Sequence, residues 1–147
     1  MAPLIAPDAN LLIYAYDDKS QDFLASRAWW ELSLTSAQVG LPLQSVFAFI
    51  RITTNAKFPG ARFTAAEAIS IVDSWLARPN VGLLIPGPSH WAIFRRISLE
   101  VDARANLSTD AHLAALSIEH DATLYSNDQD FARFPGLRWI NPLTDHV

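Results

Sequence analysis

Cysteine is absent from the 147 residues, methionine occurs once, and glycine is limited to five. Without thiols there is no disulfide framework, no thiolate zinc site and no cysteine nucleophile; the composition suits a reducing compartment, and a cytoplasmic protein is expected. The scattered glycines form no phosphate-cradling or dinucleotide loop, and no Gly-Lys-Ser/Thr occurs, which disfavours a nucleotide-binding Rossmann enzyme. Lysine is confined to Lys19 and Lys57, and the formal net charge is −4. This balance counts against a broad basic face for nucleic acid, so any RNA is expected to be held by local basic groups and metal. No uninterrupted apolar run approaches the ~20 residues that a bilayer core requires, and no membrane span is expected. Residues 1–10 carry no basic stretch and reach Asp8 before any long apolar segment, which argues against a secretory signal.

What the chain does have is apolar bulk. Half of its residues are hydrophobic, including five Trp and eight Phe, and a domain of this size buries about 70% of its unfolded surface. Neither internal repeats nor a Pro/Gly/Ser linker divide it, so residues 1–147 read as a single domain. Short apolar segments alternate with longer ones of helical period. Strands are expected at Leu4 to Ala6, Val39 to Leu41, Val81 to Ile85, Thr123 to Tyr125 and Leu137 to Ile140. Between them, a short helix runs from Leu11 to Tyr16, and Ser20 is placed to cap a second with Phe23, Leu24, Ala28 and Leu32 along one face. Ser45 to Thr53 reads as a helix, and Thr64-Ala-Ala-Glu67 has the form of a capping box for another that ends near Arg78, before Pro79. Ser89 starts a helix carrying Trp91, Ile93, Phe94, Ile97 and Val101, and Thr109 or Asp110 opens the next. Strands alternating with helices need crossover connections, so the expected architecture is an α/β/α sandwich around a mostly parallel sheet.

In such sheets ligands collect beyond the carboxyl ends of the strands. Asp8 and Asp128 each follow a predicted strand, and Asp110 begins a helix entering the same edge. Taken singly, each of these acids is an ordinary cap or turn residue, and Asp130 belongs to an ordinary polar loop. Brought together, they repel one another until protonated or compensated by a cation. A cluster of Asp without Cys or His suits a hard divalent ion, Mg²⁺ or Mn²⁺, and the helix amides near Asp110 are expected to favour its ionised form. The corresponding chemistry is phosphodiester hydrolysis, with one ion or two, and a carboxylate outside the metal shell as a possible base, left unassigned.

Three segments then resemble the PIN-domain ribonucleases, and among them the VapC toxins of bacterial toxin–antitoxin pairs: Pro-Asp-Ala-Asn-Leu-Leu-Ile-Tyr-Ala (7–15), Thr-Asp-Ala-His-Leu-Ala-Ala-Leu-Ser-Ile-Glu-His (109–120) and Thr-Leu-Tyr-Ser-Asn-Asp-Gln-Asp-Phe-Ala-Arg-Phe (123–134). They stand in the family's order and span nearly the whole chain. The resemblance implies metal-site acids at Asp8, Asp110 and Asp128, a further acid at Asp130 and polar support from Ser126. It also implies Mg²⁺ or Mn²⁺, cleavage of structured RNA such as tRNA or rRNA, a homodimer, and inhibition by a cognate antitoxin. The chain departs from the family in the helix of residues 41–55, where Ala48 stands at the position usually held by Glu.

Other features are read more plainly. His90, His112, His120 and His146 lack a metal-binding spacing and are expected to be surface or satisfied structural residues, with His112 facing away from Asp110. Arg51, Lys57, Arg62, Arg95 and Arg96 suit a solvated surface or RNA phosphates. Trp29, Trp30, Trp75 and Trp91 suit the core or a dimer interface. Two rival functions remain: a degenerate PIN-like module that binds RNA or protein without turnover, motivated by Ala48, and a phosphatase or receiver-like domain, for which the chain has few lysines.

Overall fold

The computed structural model describes residues 3–144; the expectation for His146 lies outside them. Five strands, β1 (Leu4–Pro7), β2 (Gln38–Pro42), β3 (Val81–Leu84), β4 (Ala122–Tyr125) and β5 (Trp139–Ile140), form one sheet in the order β3-β2-β1-β4-β5. Every pairing is parallel. The helices are α1 (Ala9–Ala15), α2 (Phe23–Ser36), α3 (Leu43–Thr53), α4 (Ala65–Leu76), α5 (His90–Val101) and α6 (Asn106–Glu119), with a 3-10 turn over Gln129–Arg133. The expected α/β/α arrangement is present. One apolar cluster gathers residues of α1 to α4 and β2 around Trp30, Phe49 and Trp75. A second joins α5, α6, β4 and the 3-10 turn around Ile97, Leu113, Leu124 and Phe131.

The chain adds β2 and β3 on one side of β1 and β4 and β5 on the other, so the strand order reverses between β1 and β4. At such a reversal the connections leave in opposite directions and open a crevice at the carboxyl ends of the strands. β1 and β4 pair from Leu4↔Ala122 to Pro7↔Tyr125, and the Asp8 amide donates to the Tyr125 carbonyl at 2.8 Å. This register sets Asp8 level with the start of the Ser126–Asp130 loop.

Most local expectations match. The Thr64/Glu67 capping box is formed in both directions, Thr64 N–H to Glu67 Oε1 at 2.8 Å and Glu67 N–H to Thr64 Oγ1 at 3.1 Å. Three differ. Helix α2 starts at Phe23 behind Asp22, and the Ser20 hydroxyl accepts from the Asp22 amide in the preceding turn instead of capping the helix. Its buried residues are Ser26, Trp30, Ser33 and Leu34, while Leu24 and Leu32 are 80% and 64% exposed. The apolar spacing of Phe23, Leu24, Ala28 and Leu32 is real, but burial of Trp30 against Trp75 and of Leu34 in the same cluster turns the other face inward. Finally, α6 opens at Asn106, a turn before Thr109, after two residues of positive φ, Asp102 and Ala105. This earlier start brings Leu107 against the α5–α6 cluster.

Candidate metal centre

Four elements converge on the crevice. Asp8 caps α1, its Oδ1 accepting from the Ala9 amide at 2.7 Å. Its other oxygen accepts from the hydroxyl of Ser126, wholly buried at the end of β4, at 2.7 Å. The same Ser126 Oγ accepts from the Asp128 amide at 3.0 Å and from Asn10 Nδ2 at 3.3 Å. Asp128 in turn caps the 3-10 turn, its Oδ1 accepting from the Asp130 amide at 2.9 Å. One hydroxyl thus ties the acid after β1 to the acid after β4. Trp139 Nε1 adds a bond to the Ser126 carbonyl at 3.0 Å, holding the loop from β5.

Asp110 approaches from α6. Carboxylate oxygens of Asp110, Asp128 and Asp130 all lie within 4.8 Å of one another, the single such group of acids or imidazoles among the described residues. Asp8 stands beside this trio: its carboxylate, hydrogen-bonded to Ser126 and Ala9, raises the pKa of Asp110. Ala48 is half-buried on α3 and packs against the first apolar cluster, so α3 brings no carboxylate at that position.

The electrostatics report crowding. Burial, then the charges of Asp128, Asp8 and Asp130, push the Asp110 carboxyl up to about 6. Asp8 is raised too, by burial first, and the bonds from Ser126 and Ala9 only partly offset this. The expectation that helix amides hold Asp110 ionised is corrected here, because Asp110 lies inside α6 and not in its first turn. In metal-free protein the folded state therefore binds more protons than the unfolded chain between about pH 4 and 6. Its contribution to stability rises as pH falls through that window, and Mg²⁺, which needs the ionised form, binds less well there. Carbon-13 NMR of the Asp110 carboxyl should give a midpoint near 6 in EDTA and a lower one with Mg²⁺; a midpoint near 4 without metal would contradict the crowding. Global melting is the poorer readout, because the buried His90 imidazole, its pKa lowered mainly by desolvation, works in the opposite direction.

Other expected residues fall as follows. Arg51, Lys57, Arg62, Arg95 and Arg96 are exposed, as a solvated or phosphate-contacting surface requires. Trp30 and Trp75 are core residues, Trp29 stacks on Tyr125, and Trp91 is 68% exposed. His90 is buried; among the described residues neither ring nitrogen is hydrogen-bonded, and Nδ1 lies 4.0 Å from a Glu119 carboxylate oxygen. His112 does face away from the acids, towards Gln44 and His90. Asn10 and Gln44 were not singled out in the sequence; Asn10 carried a signal in its spacing two residues after Asp8, and Gln44 in lying one helical turn before Ala48.

A parallel sheet with acids gathered at its order reversal, delivered by the end of β1, by α6 and by the loop after β4, is the arrangement of a PIN domain. The PIN domain profile matches residues 5–137, and the chain belongs to that family. Within it the chain is VapC-like. It is 39% identical to ribonuclease VapC33 of Mycobacterium tuberculosis (strain ATCC 25618 / H37Rv) over 143 residues, 97% of this chain and all of that one. With ribonuclease VapC37 of the same strain it shares 39% over 136 residues, 92% and 94% of the two chains. Among solved structures, VapBC2 from Rickettsia felis, bound to a promoter DNA fragment, superimposes with a TM-score of 0.67 at 17% identity, covering 94% of this chain and 98% of that one. VapBC from Salmonella typhimurium, also bound to DNA, gives 0.66 at 15% identity, covering 97% and 99%.

Proposed function

We propose that this chain is a metal-dependent endoribonuclease toxin, cleaving structured RNA such as tRNA or rRNA and held inactive by a cognate antitoxin. The observation that carries this reading is the convergence of Asp110, Asp128 and Asp130 at the sheet crevice of a PIN-family chain. An all-oxygen donor set with a raised carboxyl fits Mg²⁺ or Mn²⁺, which would relieve the repulsion and be completed by water and substrate phosphate. When bound, the ion activates water and offsets charge on the phosphodiester. Asp110, Asp128 and Asp130 would hold the ion, with Asp8 lending its charge from beside them. Ser126 keeps Asp8 and Asp128 in register.

The antitoxin is supported by the surface as well as by the relatives. Leu24, Ala28 and Leu32 form an exposed apolar stripe on α2, beside a groove of about 380 Å³ lined by Trp29, Tyr125 and Pro142. A contiguous apolar patch of this kind is a mark of a partner site. Exposed Trp91 and Leu99 on α5 offer a second apolar face, consistent with a homodimer. No helix among the described residues is long and apolar enough to cross a membrane, and a cytoplasmic setting is proposed on the same grounds as the RNA substrate. Ala48 supports a second reading, an RNA- or protein-binding module without turnover.

The deciding experiment presents purified protein with tRNA and rRNA in Mg²⁺, in Mn²⁺ and in EDTA. Cutting with either ion is expected, together with its loss in EDTA and in Asp8→Ala or Asp128→Ala. RNA retention without any cut product would favour the binding module, and cutting that survives in both variants would remove the site.

A further inference from the structure

Gln44 is the second residue of α3, and its side chain crosses to α6. Its Nε2 donates to the Thr109 carbonyl at 3.3 Å, and its Oε1 is hydrogen-bonded to His112 Nδ1. Both contacts agree with one orientation of the amide, because turning it over would set its oxygen against the Thr109 carbonyl. The imidazole must then carry its proton on Nδ1. On its far side the His112 ring meets that of His90, edge to face at 4.7 Å, inside the α5–α6 junction.

These two anchors flank Asp110. The Thr109 carbonyl belongs to the peptide group whose nitrogen is that of Asp110, and His112 lies two residues further on. α3 and α6 belong to different apolar clusters, and the Gln44 side chain ties the turn of α6 that carries Asp110 directly to α3. A two-point hydrogen bond with fixed amide geometry sets the distance and rotation of that turn against α3. Gln44 also lies four residues before Ala48, hence on the same side of α3. On this side α3 presents a neutral amide to α6, not a carboxylate to the metal.

We infer that Gln44 is a positioning residue for the metal centre, clasping α6 through Thr109 and His112 so that the Asp110 carboxylate meets those of Asp128 and Asp130. The inference rests on the metal-site reading above, and its test keeps the two apart. Mn²⁺ binding is measured by electron paramagnetic resonance on the full chain for wild type, Asp110→Asn, Gln44→Met and Gln44→Asn, with cleavage and melting followed in parallel. Gln44→Met keeps the length without either hydrogen bond, and Gln44→Asn keeps the amide but is too short to span both anchors.

A group hydrogen-bonded directly to a metal ligand contributes about 10- to 100-fold in affinity; Gln44 acts through the helix turn that holds Asp110, so the low end of that range sets the expected effect. Both Gln44 variants should therefore bind Mn²⁺ at least tenfold more weakly, with kcat reduced, KM for RNA unchanged and melting within about 3 °C of wild type, a shift that corresponds to a modest structural loss. Wild-type Mn²⁺ affinity in either folded Gln44 variant overturns the clasp while leaving the metal centre intact. Wild-type protein that binds no Mn²⁺, or Asp110→Asn that binds it equally well, overturns the metal-site reading and the clasp with it.

Discussion

Asp110→Asn should lower metal-dependent RNA cleavage by about 100-fold or more and, in EDTA, raise the melting temperature. The two effects have one cause. The Asp110 carboxyl is pushed up to about 6 by burial and by three neighbouring carboxylates, so ionised Asp110 at pH 7 is a source of repulsion that the metal-free fold must bear. Asn preserves the shape of the side chain and removes the charge. Because Asp110 is partly exposed, solvent screens the repulsion, and the gain is on the order of 1 kcal/mol, or about 3 °C. The same removal takes an anionic oxygen from the proposed ion. If that forfeits about 3 kcal/mol of transition-state stabilisation, the rate falls about 100-fold. Parallel melts in EDTA and in Mg²⁺, beside single-turnover cleavage, check both effects. Added Mg²⁺ should stabilise wild type and do little for the variant. Unchanged cleavage would take Asp110 out of the centre, and a lower melting temperature in EDTA would show that its carboxylate is a structural asset.

The largest loss of stability is expected from Trp75→Ala. Trp75 is 1% exposed and lies against Trp30, Phe49 and Tyr16 at ring separations of 5.4, 5.1 and 5.7 Å. Its Nε1 donates to the Tyr16 hydroxyl at 2.9 Å. Truncation would leave a cavity where four aromatic rings meet and would strand that hydroxyl, a combination that costs about 3–5 kcal/mol. Against a typical total of 5–15 kcal/mol this is a large fraction, and the melting temperature should drop by about 10 °C or more. Trp91→Ala is the comparison: Trp91 is 68% exposed and, among the described residues, stacks only on Phe94, so at protein concentrations where the chain is monomeric the expected change is within about 0.5 kcal/mol. Urea unfolding of both variants distinguishes them, and equal losses would show that the ring cluster around Trp75 contributes little. Asp110, Asp128 and Asp130 sit on α6 and the loop after β4, elements that contribute nothing to this cluster, so cleavage by the surviving folded Trp75→Ala protein at low temperature should match wild type.

These tryptophans show where sequence reasoning stops. Both sit on helices of similar length with apolar neighbours, yet one is core and the other surface, because burial depends on which way each helix is turned against the rest. The same ambiguity affects α2, where the Leu24, Ala28 and Leu32 spacing marked one face without saying which way it turns, and Trp30 and Leu34 occupy the inward one. Where the determining contacts are local, the reading succeeded. The Thr64/Glu67 capping box is complete within four residues, and the alternation of short strands with longer helices left a parallel sheet as the economical solution.

The residues of the centre divide in the same way. From the sequence alone came the acids after β1 and β4, their chemistry as hard oxygen donors and the fold edge on which they had to lie, because these follow from residue type, strand position and the crossover rule. Only the tertiary structure showed that Asp130 joins Asp110 and Asp128 while Asp8 stands beside them, and that Asp110 lies inside its helix. It also revealed Gln44 reaching His112 across 68 positions of the chain. Backbone hydrogen bonds and turn preferences act over a few residues and can be read in one dimension; the meeting of side chains from α3, α6 and the β4 loop depends on how layers pack, and that is settled by the sum of all their contacts.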